Sequence, residues 1–320
     1  MDSLTQFVLG SAVGVAATGK SRAKYALVGG ALATLPDLDI LIRYQDDIEQ
    51  MTQHRGFSHS LIFLVLIAPL ISYLLKGFFK ELSFPRLSVF VTLVLVTHPL
   101  LDALTTYGTQ LFWPFVFAGS SVSIGSIFII DPLYSIWLLL AFFTVLIARR
   151  DSLRALAANR WALIISTTYL LGGLLVQQLI ISKVGAQYPK HELKVVNAPL
   201  GWSNWRVLLR KDDNYLKGCV SIGDMALRHI TRGKRNQALM HSEKIGKYAH
   251  FSDGWYRLNR ERDSLVLSDL RMGFGDWSAF RFKVGEYQNN ELHPTPSKRL
   301  ASNRPAMSKL VLSCQSENNQ

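Results

Sequence analysis

The sequence predicts a multi-span α-helical membrane domain followed by a small, mainly β extramembrane domain. Three observations carry this. Hydrophobic residues make up 49% of the 320-residue chain and charged residues only 18%, against roughly 25% charged in a soluble domain. The apolar residues crowd into the first 182 positions. From about Lys190 the long apolar runs give way to short, partly alternating ones. This composition excludes a disordered chain and a coiled coil, and it counts against an ordinary cytosolic enzyme.

Six apolar segments can be read: Leu4–Thr18, Tyr25–Ile42, Ser60–Phe79, Leu87–Leu104, Ile127–Ala148 and Trp161–Ser182. A span needs about 20 mostly apolar residues. The third to sixth have that length. The first is short and rich in Gly and Ala, and the second is broken near its end by Pro36 and two carboxylates. Basic residues fall in alternate loops: Lys20, Arg22 and Lys24; then Lys76, Lys80 and Arg86; then Arg149, Arg150, Arg154 and Arg160. If all six segments cross, these loops share one side, and the positive-inside rule makes it cytoplasmic. The other loops, and everything after Ser182, then face outward. A first segment lying in the interface would move only the extreme N-terminus.

The transmembrane domain is expected over residues 1–185. "WRVLLR", "YLKGCVSIGD", "DSLVLSDLRMG" and "SAFRFKVGEY", flanked by Asp, Asn and Gly, read as strands and turns. They define an outward-facing β domain over residues 190–288. Residues 289–320, rich in Pro, Ser and Asn, are expected to form a disordered tail. The formal net charge of +12 fits basic cytoplasmic loops better than nucleic-acid binding, since no ordered nucleic-acid-binding signature is present.

The informative fact is where the His and Asp residues lie. Asp37 and Asp39 sit in "LPDLD", His54 and His59 in "HRGFSHS", His98 and Asp102 in "HPLLD", and Asp131 in "IIDPLY". These were not used to set the orientation, yet all converge on the outer face, as does Asp2. His98 and Asp102 are four apart and share a helix face. Asp37 and Asp39, two apart after a proline, can point the same way in an extended turn. His54 and His59 straddle Gly56, in a loop able to fold back toward one ion. Imidazoles with carboxylates suit a divalent transition metal, Zn or Mn, as one or two ions. Each residue has a plainer reading. A lone His or Asp at a membrane boundary is usually a satisfied interfacial group. Asp131 can be a helix cap ahead of Pro132, and Asp2 a solvated terminal charge. Arg55 can bind a phosphate oxygen or pair with Asp37 or Asp39. "LGSAVGVAATG" suits close helix packing. Ser58 beside His59 is not by itself a catalytic arrangement.

"MDSLTQFVLGSAVG", "LPDLD", "HRGFSHS", "HPLLDALTTYGTQLFWPF" and "GSIFIIDPLY" together resemble the YdjM-like family of bacterial inner-membrane proteins, described as membrane-bound metal-dependent hydrolases. The resemblance covers about residues 1–180. "HFSDGWYRL" and "DLRMG" are similar to the extramembrane extension of longer members. The family resembles zinc-dependent phospholipase C and related nucleases, which implies phosphoester hydrolysis. By motif, the resemblance makes Asp37, Asp39, His54, His59, His98 and Asp102 the metal ligands. Shorter members carry a His where this chain has Gln6. The set then has one ligand fewer, or Asp2 or the Gln6 side-chain oxygen takes its place.

The expected function is metal-dependent hydrolysis of a phosphoester at the outer membrane boundary, with membrane lipids as partners and a lipid headgroup as one candidate substrate. Asp39 is the expected general base and Arg55 the phosphate contact. A metal-ion carrier would need ionisable residues near the bilayer midplane, open to both sides. A structural protein would use the metal to clamp its helices.

Overall fold

The computed structural model describes residues 1–115, 121–199, 201–223, 225–239, 241–274 and 277–302. The expected tail beyond residue 302 lies outside the described residues.

The chain opens with a tight helical hairpin. Helix α1 (Ser3–Thr18) ends on Gly19 in the left-handed region at φ 65°, and α2 (Ala23–Thr34) packs back on it. The small-residue stripe is what allows this. A Cβ on Gly10 would lie 2.2 Å from the Ala33 Cβ, and one on Gly29 would lie 2.5 Å from the Gly10 carbonyl oxygen. The "LGSAVGVAATG" run is thus helix packing, as read from sequence. Leu35 stays helical, but Pro36 has no N–H to continue the α-helical ladder, and α2 gives way to a 3₁₀ turn, Pro36–Leu41. Helix α3 (Asp47–Gln53) is capped by Asp46, and a second 3₁₀ turn, Phe57–His59, leads into α4 (Leu61–Leu75), capped by Ser60. Then come α5 (Phe84–Ala103), α6 (Pro132–Ile147) and α7 (Leu153–Gln187).

Of the helices described, α5 and α7 are long and apolar enough to cross a membrane. The α3 and α4 segments, bent by 54°, make a third candidate only if taken as one span, and α1 and α6 are apolar but shorter. The sequence had suggested four segments of full length. The difference lies at the helix ends. Asp131 caps α6 through the Leu133 and Tyr134 N–H groups, so the helix begins at Pro132 rather than Ile127. Helix α4 stops at Leu75, ahead of Lys76.

The three basic loops meet at one end of the helices. Arg22 pairs with Asp151 at 2.6 Å, Lys24 pairs with Glu81, and Arg86 donates to the Thr18 carbonyl. At the other end the Asp2 N–H donates to the Ile129 carbonyl.

At about 1.5 Å per residue, the 35 residues of α7 outrun a bilayer core. Its last turns bury Ile180 and Val184 against Val195, Trp205 and Val207 of the first sheet. That sheet is an antiparallel meander of β1 (Glu192–Asn197), β2 (Asn204–Lys211), β3 (Asn214–Ser221) and β4 (Leu227–Lys234). Helix α8 (Glu243–Phe251) leads to a second sheet with β5 (Tyr256–Glu261), β6 (Ser264–Asp269), β9 (Arg281–Gln288) and β10 (Glu291–Arg299), in the order β10-β9-β6-β5. A short hairpin, β7 (Gly273–Phe274) with β8 (Trp277–Ser278), interrupts it.

Strand β10 corrects the expected boundary at residue 288. Asn289 and Asn290 both adopt positive φ, at 49° and 69°, the backbone a two-residue hairpin turn requires. Glu291 then pairs with Gln288 and Leu292 with Tyr287. The prolines that suggested disorder lie on an edge strand, where a missing N–H costs no ladder bond. Helix α3 docks on this sheet, with Ile48 and Met51 buried among Ile245, Tyr248 and Phe282. The Ile48 N–H donates to Ser297 Oγ, and the Arg299 N–H to Asp47 Oδ2.

Candidate metal centre

Four donor atoms converge at the end of the helices opposite the basic loops. Asp37 comes from the first 3₁₀ turn, His59 from the second, and His98 and Asp102 from one face of α5. His59 Nε2 lies 3.1 Å from His98 Nε2, 3.4 Å from Asp37 Oδ1 and 3.3 Å from Asp102 Oδ2. His98 Nε2 lies 3.4 Å from Asp37 Oδ1 and 3.5 Å from Asp102 Oδ2. The side chains of His59, His98 and Asp102 are 0% exposed and that of Asp37 is 22%, so approach is from the Asp37 side.

Hydrogen bonds behind the cluster fix which imidazole nitrogens carry protons. His98 Nδ1 faces the Ala33 carbonyl oxygen, which can only accept, so Nδ1 carries the proton. Ser58 Oγ donates its proton to Asp39 Oδ2 at 2.7 Å, and therefore accepts from His59 Nδ1 at 2.9 Å. In the neutral rings both Nε2 atoms then present lone pairs to each other and to two carboxylate oxygens. Asp102 Oδ2 is buried with no hydrogen-bond partner, because Arg55 Nε, though 3.1 Å away, is not aligned to donate. Four electron-pair donors without a proton among them repel one another unless a cation lies between. Five of their six separations, 3.1–3.5 Å, match the edges of a tetrahedron with bonds of about 2.0–2.1 Å, and the sixth, Asp37 to Asp102, is within 4.8 Å. The residues present therefore fit a small divalent ion.

The two other expected ligands lie elsewhere. Asp39 Oδ1 pairs with His54 Nδ1 at 2.8 Å, and Asp39 Oδ2 accepts from the Arg55 N–H and from Ser58. Asp37 and Asp39 diverge because the turn is 3₁₀ rather than extended, and side chains two apart on a three-residue period face different ways. Burial pushes the Asp39 carboxyl up, but the bonds from His54, Ser58 and the Arg55 N–H outweigh it and hold it below the usual carboxylate range. Those bonds occupy its oxygens and leave it poorly placed as a base toward substrate.

Arg55 has a positive φ of 64°. Its backbone N–H serves Asp39, and its guanidinium reaches Asp102 and Thr105 and stacks over Tyr107 at 4.9 Å. Of the two alternatives for Arg55, pairing with Asp37 or Asp39 is not what its guanidinium does. Gln6 lies beside the cluster, its Nε2 donating to Asp102 Oδ1 at 3.0 Å, and the Met1 amino group pairs with the same oxygen. Asp2 caps α1, accepting from the Thr5 N–H, and Asp131 caps α6 and accepts from the Tyr169 hydroxyl at 2.8 Å. The plainer reading of Asp131, a helix cap, is what forms, whereas Asp2 is a half-buried helix cap rather than a solvated terminal charge. Sequence reasoning missed Ser58. Its adjacency to His59 was the signal, but the role is to orient that ring rather than to react.

His54 and Arg55 also line a cavity of about 890 Å³ between this loop and the β domain.

Comparison with known proteins agrees with this picture. The sequence model of the YdjM inner membrane protein family matches residues 1–181. The chain is 33% identical over 143 residues to the uncharacterized protein YfhP of Bacillus subtilis, covering 41% of this chain and 42% of that protein. It is 35% identical over 86 residues to the inner membrane protein YbcI of Escherichia coli, covering 27% of this chain and 49% of that one. The chain thus spans half or less of the length of these curated relatives. No solved structure matches.

Proposed function

This chain belongs to the YdjM inner membrane protein family, and on that footing we propose that it is a membrane-bound, metal-dependent hydrolase of phosphoesters. The observation that carries the reading is the convergence of four protonless donor atoms from Asp37, His59, His98 and Asp102. Two imidazoles and two carboxylates in a tetrahedral array favour zinc, with manganese second. A bound ion of this kind supplies Lewis acidity toward a phosphoryl oxygen and lowers the pKa of a coordinated water toward about 7.

The chain's own residues divide the remaining work. His54 stands between the cluster and the cavity, its ring 6.0 Å from that of His59. With Nδ1 held by Asp39, its Nε2 can take and return a proton at the cavity wall. Asp39 then acts through His54, as the positioning residue of the pair. Arg55 is set to hold a phosphate oxygen on the cavity side while offsetting the charge of Asp102. The basic loops at the opposite end support an orientation with the cluster and β domain on the periplasmic side, within reach of lipid headgroups.

A helix-clamping site is the second reading, favoured by one observation. Four protein donors already complete a tetrahedron, as in structural zinc sites. Elemental mass spectrometry of the purified protein and of His98→Ala, followed by assay of phosphodiester substrates, separates the readings. The hydrolase reading expects about one equivalent of metal, lost in the variant together with turnover. Metal loss accompanied by unfolding, with no turnover in the wild type, would support the clamp. Accessibility of the β domain to protease added outside spheroplasts tests the orientation.

A further inference from the structure

The cavity beside the cluster has a composition that the four ligands do not explain. Arg55, Arg206, Arg271 and Arg299 line it, with His54, and no carboxylate does among the described residues. Arg271 is matched by Asp269 at 2.8 Å, with both side chains fully buried. Arg206 donates to the carbonyls of Leu270 and Arg271, and Arg299 donates to the Ala279 carbonyl, which accepts a hydrogen bond without cancelling the Arg299 charge. Trp277 lines the same space, and its indole Nε1 is a buried donor with no acceptor. A donor buried without a partner is costly, and an anion's oxygen would relieve that cost.

The rest of the wall is apolar: Phe128, Ile129 and Ile130 ahead of α6, and Met272, Phe280 and Leu300 from the β domain. Ile130 is half exposed, two residues ahead of the apolar helix α6. The volume, about 890 Å³, is that of a small-molecule site. Neither domain makes it alone. The loop bearing His54 and Arg55 supplies one wall, and the β7–β8 hairpin with the end of β10 supplies the other. The contacts of α3 with β10 hold them together.

We infer that this cavity binds a phosphate ester carrying an apolar chain, with the β domain supplying the anion-binding wall through Arg299 and Trp277. The inference rests on the phosphoester reading for the fate of the ligand, but not for its binding. It gives the β domain a role: substrate is held by the extramembrane wall while its phosphate faces Arg55 and the cluster. An inorganic phosphate would use the arginines alone. A lipid phosphate would use both halves of the lining.

The test is equilibrium binding to the full-length protein in neutral detergent, with dihexanoyl phosphatidate, dihexanoylglycerol and inorganic phosphate as probes. It is run on the wild type, on Arg299→Gln and Trp277→Phe, and on His59→Ala, which lacks a metal ligand. The phosphatidate is expected to bind more tightly than either other probe. Each wall variant is expected to weaken it about tenfold, the loss of one charge-assisted hydrogen bond. Arg299 is exposed on an edge strand, so its variant keeps the fold even if Trp277→Phe does not. Binding retained in His59→Ala, with no turnover of any ester by the wild type, would uphold this inference while the hydrolase reading fell. Equal binding of dihexanoylglycerol would overturn the anionic part. Tighter binding of inorganic phosphate would overturn the lipid part. Unchanged affinity in Arg299→Gln and Trp277→Phe would remove the β-domain wall from the site.

Discussion

Replacing Ser58 by Ala should weaken metal binding without touching a metal ligand. The hydroxyl has two tasks: it accepts from His59 Nδ1 at 2.9 Å and donates to Asp39 Oδ2 at 2.7 Å. Without it, nothing holds the proton on Nδ1, and the ring can place it on Nε2, where it opposes a cation. The His59 ring is fully buried, so water cannot easily replace the lost partner. One buried hydrogen bond left unmade costs about 1–3 kcal/mol, and loss of such an orienting partner typically lowers metal affinity about 10–100-fold. The measurement is competition of purified protein against a chromophoric zinc chelator. Ser60→Ala is the control. Ser60 is also buried, caps α4 and donates to the Trp113 carbonyl, with no hydrogen bond to a histidine. It should lower stability and leave affinity unchanged. Equal affinity in wild type and Ser58→Ala, or an equal loss in Ser60→Ala, would refute the tautomer argument.

Asp131→Ala should lower the melting temperature, by about 1 kcal/mol or more of lost capping, while metal content stays at the wild-type level; loss of metal would make Asp131 a ligand after all. Gly10→Ala should destabilise the α1–α2 hairpin by about 1–3 kcal/mol, because its Cβ meets Ala33 at 2.2 Å; thermal unfolding in detergent reads this. Burial, aided by the nearby Arg271 charge, drives the Lys194 ammonium down to about 8. The charged form is disfavoured in the fold, so the penalty is full below pH 8 and relieved as pH rises toward the unfolded value. Stability should therefore rise between about pH 8 and 10, by a contribution on the order of 3 kcal/mol. Lys194→Met should flatten that rise, and an identical slope in the variant would show that other groups cause it.

The helical-then-β order was legible because the two hydrophobic periods are different and each is sustained over many residues. Within the site, His98 and Asp102 were readable with confidence in geometry because both lie on one helix, where spacing dictates direction. Asp37, Asp39, His54 and His59 were not separable, because they lie on irregular backbone. Whether Asp37 and Asp39 share a face depends on whether the turn is extended or 3₁₀, and "LPDLD" is compatible with both. The Ser58–His59 contact depends on the same local turn geometry. The span lengths were over-read at α6 because apolar residues begin before the helix, on irregular backbone. The tail was misread from residue 289 because an edge strand tolerates the composition of a disordered segment.

The hydrogen bond from the Ile48 N–H to Ser297 Oγ joins positions 249 residues apart. In the order of synthesis, the donor loop is in place long before its acceptor exists. All four donor residues of the candidate centre have been made once α5 is complete, since none lies beyond Asp102. The adjoining cavity closes only when the last described strand has emerged and paired. All four donor residues are thus made well before strand β10, which completes the wall of the adjoining cavity.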